Sequence, residues 1–157
     1  MANAAKIRLL IAEDHTVLRY TLRSILEQYP EIEIVGEATN GEDAVFRAQE
    51  LHPAIVLMDI NMPKLDGIEA TRRIKASTSR ITVLGLSVGE GYSIAAMLRA
   101  GAVAVVLKER ATEDLYHAIQ RAIALPFATS SGGASCLECR PEFLPEQAPR
   151  LDSDPVM

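Results

Sequence analysis

Residues 54–59 read Ala-Ile-Val-Leu-Met-Asp, an apolar run that ends on a carboxylate. The run is short and bounded by polar residues, and it is too continuously apolar for a strand with one face in water. It therefore predicts a parallel strand that is buried on both faces. Similar runs occupy residues 6–12, 32–38, 81–87 and 102–108. We expect five strands in one sheet.

Helical periodicity fills the gaps between these runs. Apolar side chains recur at three- and four-residue intervals in the first gap and in the last segment, at Leu18, Leu22, Ile25, Leu26 and Tyr29 and at Leu115, Ala118, Ile119, Ala122 and Ile123. Each helix therefore has one core-facing side. Right-handed crossovers then give an α/β fold, a single doubly wound (βα)5 domain with a five-stranded parallel sheet. The strand order that we expect for this sheet is 2-1-3-4-5.

Local signals mark where these helices begin and end. Asn40, Asp66 and Thr112 are expected as N-caps, because short polar side chains accept hydrogen bonds from the first free amides of a helix. Glu69 lies three residues after Asp66, as in a capping box. Gly101 is expected to stop the helix that precedes the fifth strand.

Composition bounds the possible functions. The 157 residues include 48% hydrophobic residues, which excludes wholesale disorder, and 16 basic against 21 acidic residues give a net charge of −5. That sign is wrong for binding a phosphate backbone, so we expect no direct nucleic-acid contact. No apolar run approaches the ~20 residues of a membrane helix. We expect a cytoplasmic protein with no membrane partner.

The composition changes at residue 125. Residues 125–157 hold five of the eight prolines and both cysteines, without helical or strand periodicity. We interpret residues 1–124 as one domain and residues 125–157 as a disordered tail. Cys136 and Cys139 form a single C-x-x-C pair, whereas zinc needs four ligands. Incidental reduced thiols are favoured over an intermolecular zinc site or disulfide.

Polar residues stand at the carboxyl ends of the expected strands. Glu13 and Asp14 follow the first strand, while Asp59, Ser87 and Lys108 end the third, fourth and fifth. In a doubly wound sheet these ends form the ligand-binding edge, and in the order 2-1-3-4-5 the first and third strands are neighbours. The crowded carboxylates need a cation, and Mg²⁺ favours such oxygen ligands. The first turn has no glycine-rich cradle, which argues against a dinucleotide fold.

Together these residues resemble the receiver domain of two-component response regulators. The resemblance covers about residues 6–124 and includes residues 59–67, which read Asp-Ile-Asn-Met-Pro-Lys-Leu-Asp-Gly. Residues 98–102 and 107–115 are most similar to receivers of LuxR/NarL-type transcription regulators, which precede helix-turn-helix DNA-binding domains.

The resemblance implies an aspartyl phosphate at Asp59, formed by nucleophilic attack on a phosphoryl group. It implies Mg²⁺, with Mn²⁺ as a substitute, held by Glu13, Asp14, Asp59 and the backbone carbonyl of Asn61. Lys108 would pair with a phosphoryl oxygen, and Ser87 would donate a hydrogen bond to the attached phosphoryl and pull its loop inward.

The resemblance also implies partners. These are a histidine kinase or phosphotransfer protein as donor, an unknown downstream protein as target, and a second copy of the chain as a possible dimer partner. The protein would be a signalling switch that phosphorylates and dephosphorylates itself and would not be a turnover enzyme.

Two positions depart from the family pattern. Val105 stands where many receivers carry a Tyr or Phe, so the aromatic part of the switch is missing. Glu109 replaces the proline that often follows the lysine. This puts the usual cis peptide bond in doubt, because a non-proline cis bond costs ~2.5–4 kcal/mol.

Parts of the sequence leave four other functions to consider. The chain could be the receiver part of a truncated DNA-binding regulator, or a receiver-like module that works without phosphate. Gly85-x-Ser87-x-Gly89 matches the nucleophile elbow of serine hydrolases, but the only later histidine, His117, lies in the last helix. A haloacid-dehalogenase-type phosphatase would need an aspartate at Asn61. His15 beside the acidic pair is read as an exposed helix residue and not as a metal ligand.

Overall fold

The computed structural model describes residues 4–89 and 91–124. The described part holds five strands and five α-helices in strict alternation, and a 3₁₀ turn, Lys108–Arg110, leads into the last helix. The strands are β1 (Ile7–Ala12), β2 (Ile32–Ala38), β3 (Ile55–Asp59), β4 (Thr82–Ser87) and β5 (Ala104–Leu107). The helices are α1 (Thr16–Leu26), α2 (Gly41–Leu51), α3 (Gly67–Ser77), α4 (Tyr92–Ala100) and α5 (Ala111–Ala124).

All neighbouring strands pair in parallel, in the order β2-β1-β3-β4-β5. This confirms the predicted α/β class and strand order. The predicted tail, 125–157, with Cys136 and Cys139, lies outside the described residues, so the tail stays a prediction.

Alternation along the central strands sends apolar side chains to both faces of the sheet. Leu9 and Ile11 of β1 join the cluster under α1 and α5, while Leu10 and Ala12 join the cluster under α2, α3 and α4. Every residue of β3 is buried. This two-sided burial explains why the strand sequences are continuously apolar.

Most of the predicted boundaries are confirmed to within a residue. The Asn40 side chain accepts a hydrogen bond from the Asp43 amide. Likewise, Asp66 accepts one from the Glu69 amide. α4 ends at Ala100, and Gly101 directly after it has a φ of +120°. The strands β1, β3 and β4 each begin one residue later than predicted.

Three details of the prediction are wrong. β5 spans only Ala104–Leu107, because the chain turns into a 3₁₀ conformation at Lys108. That turn runs directly into α5, so Thr112 lies inside the helix and does not cap it. The Glu69 carboxylate pairs with Arg72 and Arg73 instead of returning to the backbone of Asp66, so the capping box is half formed.

Within residues 4–89 and 91–124, no helix has the length and hydropathy that a bilayer crossing requires.

Candidate functional site

The carboxyl ends of β1 and β3 bring three carboxylates together. Glu13 and Asp14 are the first residues after β1, and Asp59 is the last residue of β3, which pairs with β1. One oxygen from each of these residues lies within 4.8 Å of the others. Glu13 is 0% and Asp59 1% exposed, whereas Asp14 is exposed. The predicted crowding of like charges is therefore present, with one side open to solvent.

Lys108 reaches this cluster from the far side of β4. Its Nζ lies 2.9 Å from Glu13 Oε2 and 2.9 Å from Asp59 Oδ1. Burial by itself would lower the pKa of Lys108, but the two carboxylates outweigh burial and raise it. The side chain is therefore a fixed positive charge between two buried acids.

The pKa of Asp59 stays above its usual value although Lys108 lies beside it. Burial, with a smaller contribution from the nearby Glu13 carboxylate, raises the pKa of Asp59 to about 6. Lys108 and the Asn61 amide, which donates to Asp59 Oδ1 at 3.2 Å, act in the opposite direction. One ammonium therefore does not fully offset the negative charge, and a further cation would be favoured.

The donor set fits a hard divalent cation. Glu13 Oε2 is buried and accepts no well-oriented hydrogen bond from the described residues, although it lies near Lys108 Nζ. Its second oxygen, Oε1, accepts the His15 amide at 3.1 Å. Carboxylate oxygens with one open side are the ligands that Mg²⁺ takes in proteins, where it keeps several waters. His15 is an exposed N-cap residue of α1 and does not belong to the cluster.

Ser87 lies at the end of β4, one strand away from Asp59. Its side chain is buried, and its hydroxyl donates to the Gly89 carbonyl at 3.3 Å. Gly89 and Gly91 have φ values of +75° and +134°, which glycine adopts without steric penalty. The hydroxyl is therefore engaged with its own loop.

The family model for the response regulator receiver domain matches residues 9–120. The chain belongs to the response regulator receiver family. Receivers are phosphorylation switches and not turnover enzymes, and they bind Mg²⁺ and work with histidine kinases and regulatory proteins.

Curated relatives of this receiver include transcription regulators. It is 37% identical to the transcriptional regulatory protein DegU of Brevibacillus brevis over 119 residues, 75% of this chain and 50% of that protein. It is 35% identical to the nitrate/nitrite response regulator NarL of Escherichia coli K12 over 126 residues, 79% of this chain and 58% of that protein. The chain spans about half the length of these relatives. Its role as the receiver part of a DNA-binding regulator therefore stays a prediction.

Solved structures agree with the fold and with the predicted subfamily. The response regulator domain of Thermotoga maritima CheB has a TM-score of 0.71 and 32% identity, covering 77% of this receiver and 98% of that chain. A LuxR-family response regulator from Aurantimonas sp. SI85-9A1 has a TM-score of 0.72 and 30% identity, covering 76% and 86%. The predicted similarity to NarL/LuxR-type receivers is confirmed.

The structure shows the surroundings of the two positions that depart from the family pattern, Val105 and Glu109. Val105 of β5 lies opposite Gly85 of β4, and a Cβ atom on that glycine would come within 3.0 Å of the valine side chain. Among the described residues no peptide bond is cis, so the bond between Lys108 and Glu109 is trans.

The serine hydrolase alternative finds no support in the geometry. His117 is exposed on α5, and the Ser87 hydroxyl bonds to backbone. Sequence reasoning did miss one residue beside the site, Arg19, whose guanidinium donates to the Glu13 carbonyl at 2.9 Å. The sequence does show an arginine in the first helical turn after an acidic pair. It does not show that the side chain points back to the Glu13 carbonyl.

Proposed function

We propose that this receiver accepts a phosphoryl group on Asp59 from the phosphohistidine of a histidine kinase or a phosphotransfer protein. The observation that carries the proposal is the buried Asp59 carboxylate at a strand end, with Lys108 Nζ at 2.9 Å and Glu13 and Asp14 beside it. A nucleophile, a fixed cation and a set of metal ligands are the groups that phosphoryl transfer needs, because its catalysis is positioning and charge stabilisation.

The two oxygens of Asp59 have different surroundings. Oδ1 faces Lys108 Nζ and accepts the Asn61 amide. Because the Asn61 amide and the 2.9 Å contact of Lys108 Nζ both fall on Oδ1, we assign the attack on phosphorus to Oδ2. As the new O–P bond forms, the P–N bond of the phosphohistidine breaks, and the imidazole nitrogen leaves with the bonding electrons.

Charge stabilisation is divided between the chain and the ion. When bound, Mg²⁺ neutralises charge on the transferring phosphoryl group, and Mn²⁺ is an alternative hard cation. Glu13, Asp14, Asp59 and the Asn61 carbonyl would hold it. The Lys108 ammonium, already placed beside Asp59, would follow the negative charge onto a phosphoryl oxygen.

The experiment that tests this chemistry is intact-mass measurement after incubation with acetyl phosphate and Mg²⁺. One phosphoryl group on a carboxylate adds ~80 Da. Asp59→Asn is expected to show no gain. Asp66→Asn, in the same loop, is the matched control and should label normally, because Asn caps a helix as well as Asp does. Full labelling of Asp59→Asn would place the phosphoryl group elsewhere.

The switch proposed here is rotation of the Ser87 hydroxyl from the Gly89 carbonyl to the phosphoryl group. Val105 has no ring to relay that movement into β5, so the change would pass through the loop after Ser87 and the start of α4. Beryllofluoride should therefore shift the amide resonances of residues 87–99 more than those of residues 103–107. Equal shifts in both segments would contradict this route.

The proposed partners are the phosphoryl donor and a downstream protein that recognises the altered face, with a second copy of the chain as a possible dimer partner. An ATP-dependent kinase would meet the receiver in the cytoplasm. Residues 1–124 are proposed to suffice for this function, since the family match ends at residue 120 and α5 at Ala124. Protein ending at Ala124 should label like the full chain, and loss of labelling would show that the remainder is needed.

A further inference from the structure

Arg19 is the more buried of the two arginines on α1. Its side chain is 12% exposed, while that of Arg23, one helical turn later, is 41% exposed. Both guanidinium groups pair with Glu37 of β2, at 3.1 Å and 2.6 Å. The second bond of each arginine differs: Arg23 pairs with Glu27 on the surface, whereas Arg19 donates to the backbone carbonyl of Glu13 at 2.9 Å.

The direction of this contact follows from helix geometry. Arg19 lies in the first turn of α1, where its backbone amide donates to the His15 carbonyl. Side chains on a helix lean toward its N-terminus, so the guanidinium reaches back over the turn that joins β1 to α1. Its planar fork can donate in two directions, and a lysine ammonium is a single point charge.

Glu13 is therefore attached to β2 on both sides of its α-carbon. Its amide donates to the Ala38 carbonyl at 3.0 Å, and its carbonyl accepts from Arg19, which is itself anchored on Glu37. Between these two attachments, the carboxylate extends inward to the cluster with Asp59 and Lys108. A change in the carbonyl's direction would rotate the peptide that leads on to Asp14 and move both carboxylates.

We propose that Arg19 is a positioning residue for the metal site, holding the turn of Glu13 and Asp14 so that their carboxylates converge with Asp59. This inference rests on the proposed function. Partners that orient metal ligands from behind are worth about 10–100-fold in metal affinity. Arg19 touches neither the phosphoryl group nor the ion in this role.

The test compares Arg19→Gln with Arg23→Gln in the full chain. Both variants remove one ion pair with Glu37, but only Arg19→Gln removes the bond to Glu13. Mg²⁺ titration followed by amide resonances should show affinity weakened by about tenfold or more in Arg19→Gln. Arg23→Gln should change it by less than about twofold, because its pairs are largely exposed.

A second measurement needs no metal. In metal-free protein the His15 amide donates to Glu13 Oε1, so its hydrogen exchange reports on the turn. Exchange at His15 should accelerate in Arg19→Gln and stay unchanged in Arg23→Gln. Equal exchange and equal Mg²⁺ affinity in the two variants would show that Arg19 serves only the stability of the fold.

Arg19→Lys covers the case in which Arg19→Gln does not fold. Lysine keeps a cation near Glu37, but one ammonium cannot replace both bonds, so weaker Mg²⁺ binding is again expected, and wild-type affinity would overturn the role. If the unaltered protein neither binds Mg²⁺ nor labels, the proposed function fails as well. If it binds Mg²⁺ and the Arg19 variants bind equally well, only the role of Arg19 fails.

Discussion

In the turns after β1 and β3, hydrogen bonds hold the carboxylates from several sides, whereas the segment after β4 is held by little besides its own backbone. Glu13 accepts bonds at its carbonyl and at one carboxylate oxygen, and Asp59 accepts the Asn61 amide. After β4, Gly89 and Gly91 adopt positive φ, and among the described residues beyond their immediate neighbours no atom lies within 4 Å of a Cβ added to either.

The segment after β4 also exposes large apolar side chains. Val88 is 66% and Tyr92 81% exposed, an arrangement suited to a surface that another molecule covers. For the proposed function, the difference would let one domain combine precise chemistry with a movable response, because the groups proposed to take the phosphoryl are held on several sides and the segment proposed to report it is loosely packed.

The largest expected effect on unfolding free energy comes from removing the Lys108 ammonium. Lys108→Ala leaves Glu13 and Asp59 without their shared partner, and breaking a buried ion pair costs about 3–5 kcal/mol of unfolding free energy. Mg²⁺ should restore much of this loss, because the same carboxylates are its proposed ligands. Urea unfolding with a chelator and with excess Mg²⁺ checks both expectations, with the exposed Lys6→Ala as control. If Mg²⁺ stabilised Lys108→Ala no more than wild type, Lys108 and the ion would not compete.

The next effect tests how tightly the β3 turn is packed. A Cβ at Gly67 would lie 1.9 Å from the Asp59 carbonyl oxygen, so Gly67→Ala must displace backbone. We expect a loss of about 3 kcal/mol or more in unfolding free energy, together with slower labelling by acetyl phosphate. Near-wild-type stability in thermal and urea unfolding would show that the turn after β3 can relax and is no more rigid than the segment after β4.

A gain in stability is expected from replacing Asp59, the proposed phosphoacceptor. The pKa of Asp59 is raised to about 6, so at neutral pH its charged form opposes folding in the absence of metal. Asp59→Asn should therefore raise the unfolding free energy of the metal-free protein by about 1–3 kcal/mol, given ~1.4 kcal/mol for each pKa unit. The same variant should bind Mg²⁺ more weakly. A less stable Asp59→Asn protein in chelator would mean that Lys108 outweighs burial.

The smallest effect belongs to the loosely packed region. Gly89→Ala meets no neighbour, and its cost comes only from a φ of +75°, about 1–2 kcal/mol. Mass labelling by acetyl phosphate should stay at the wild-type rate, while the beryllofluoride-induced shifts after β4 should change. Slower labelling would couple this loop to the chemistry more closely than its contacts indicate.

The sequence predicts the fold and the site to different depths. The five parallel strands were predictable, because apolar runs mark buried strands. With the order 2-1-3-4-5 the meeting of Glu13, Asp14 and Asp59 follows, because the carboxyl ends of the strands share one edge. The contact of Lys108 with Glu13 was not predictable, since it depends on the 3₁₀ turn that begins at Lys108 and on a side-chain rotamer. Thr112 was misplaced for the same reason.

Side-chain direction set the other limits. Ser87 was correctly placed at a strand end, but nothing in the sequence indicates that its hydroxyl bonds to Gly89. Arg19 belongs to no recognised motif. Only the structure shows that its side chain leans back over the preceding turn and contacts the Glu13 carbonyl.

The parallel topology determines which molecules contain an assembled site. Glu13, Asp59, Ser87 and Lys108 come from the ends of four different strands, so the site forms only when strands far apart in sequence have all paired. Such non-local pairing is completed late in folding, and local structure alone cannot supply it. On the proposed function, a nascent or partly unfolded chain would therefore not be phosphorylated, and only molecules with a complete sheet would carry the phosphoryl group.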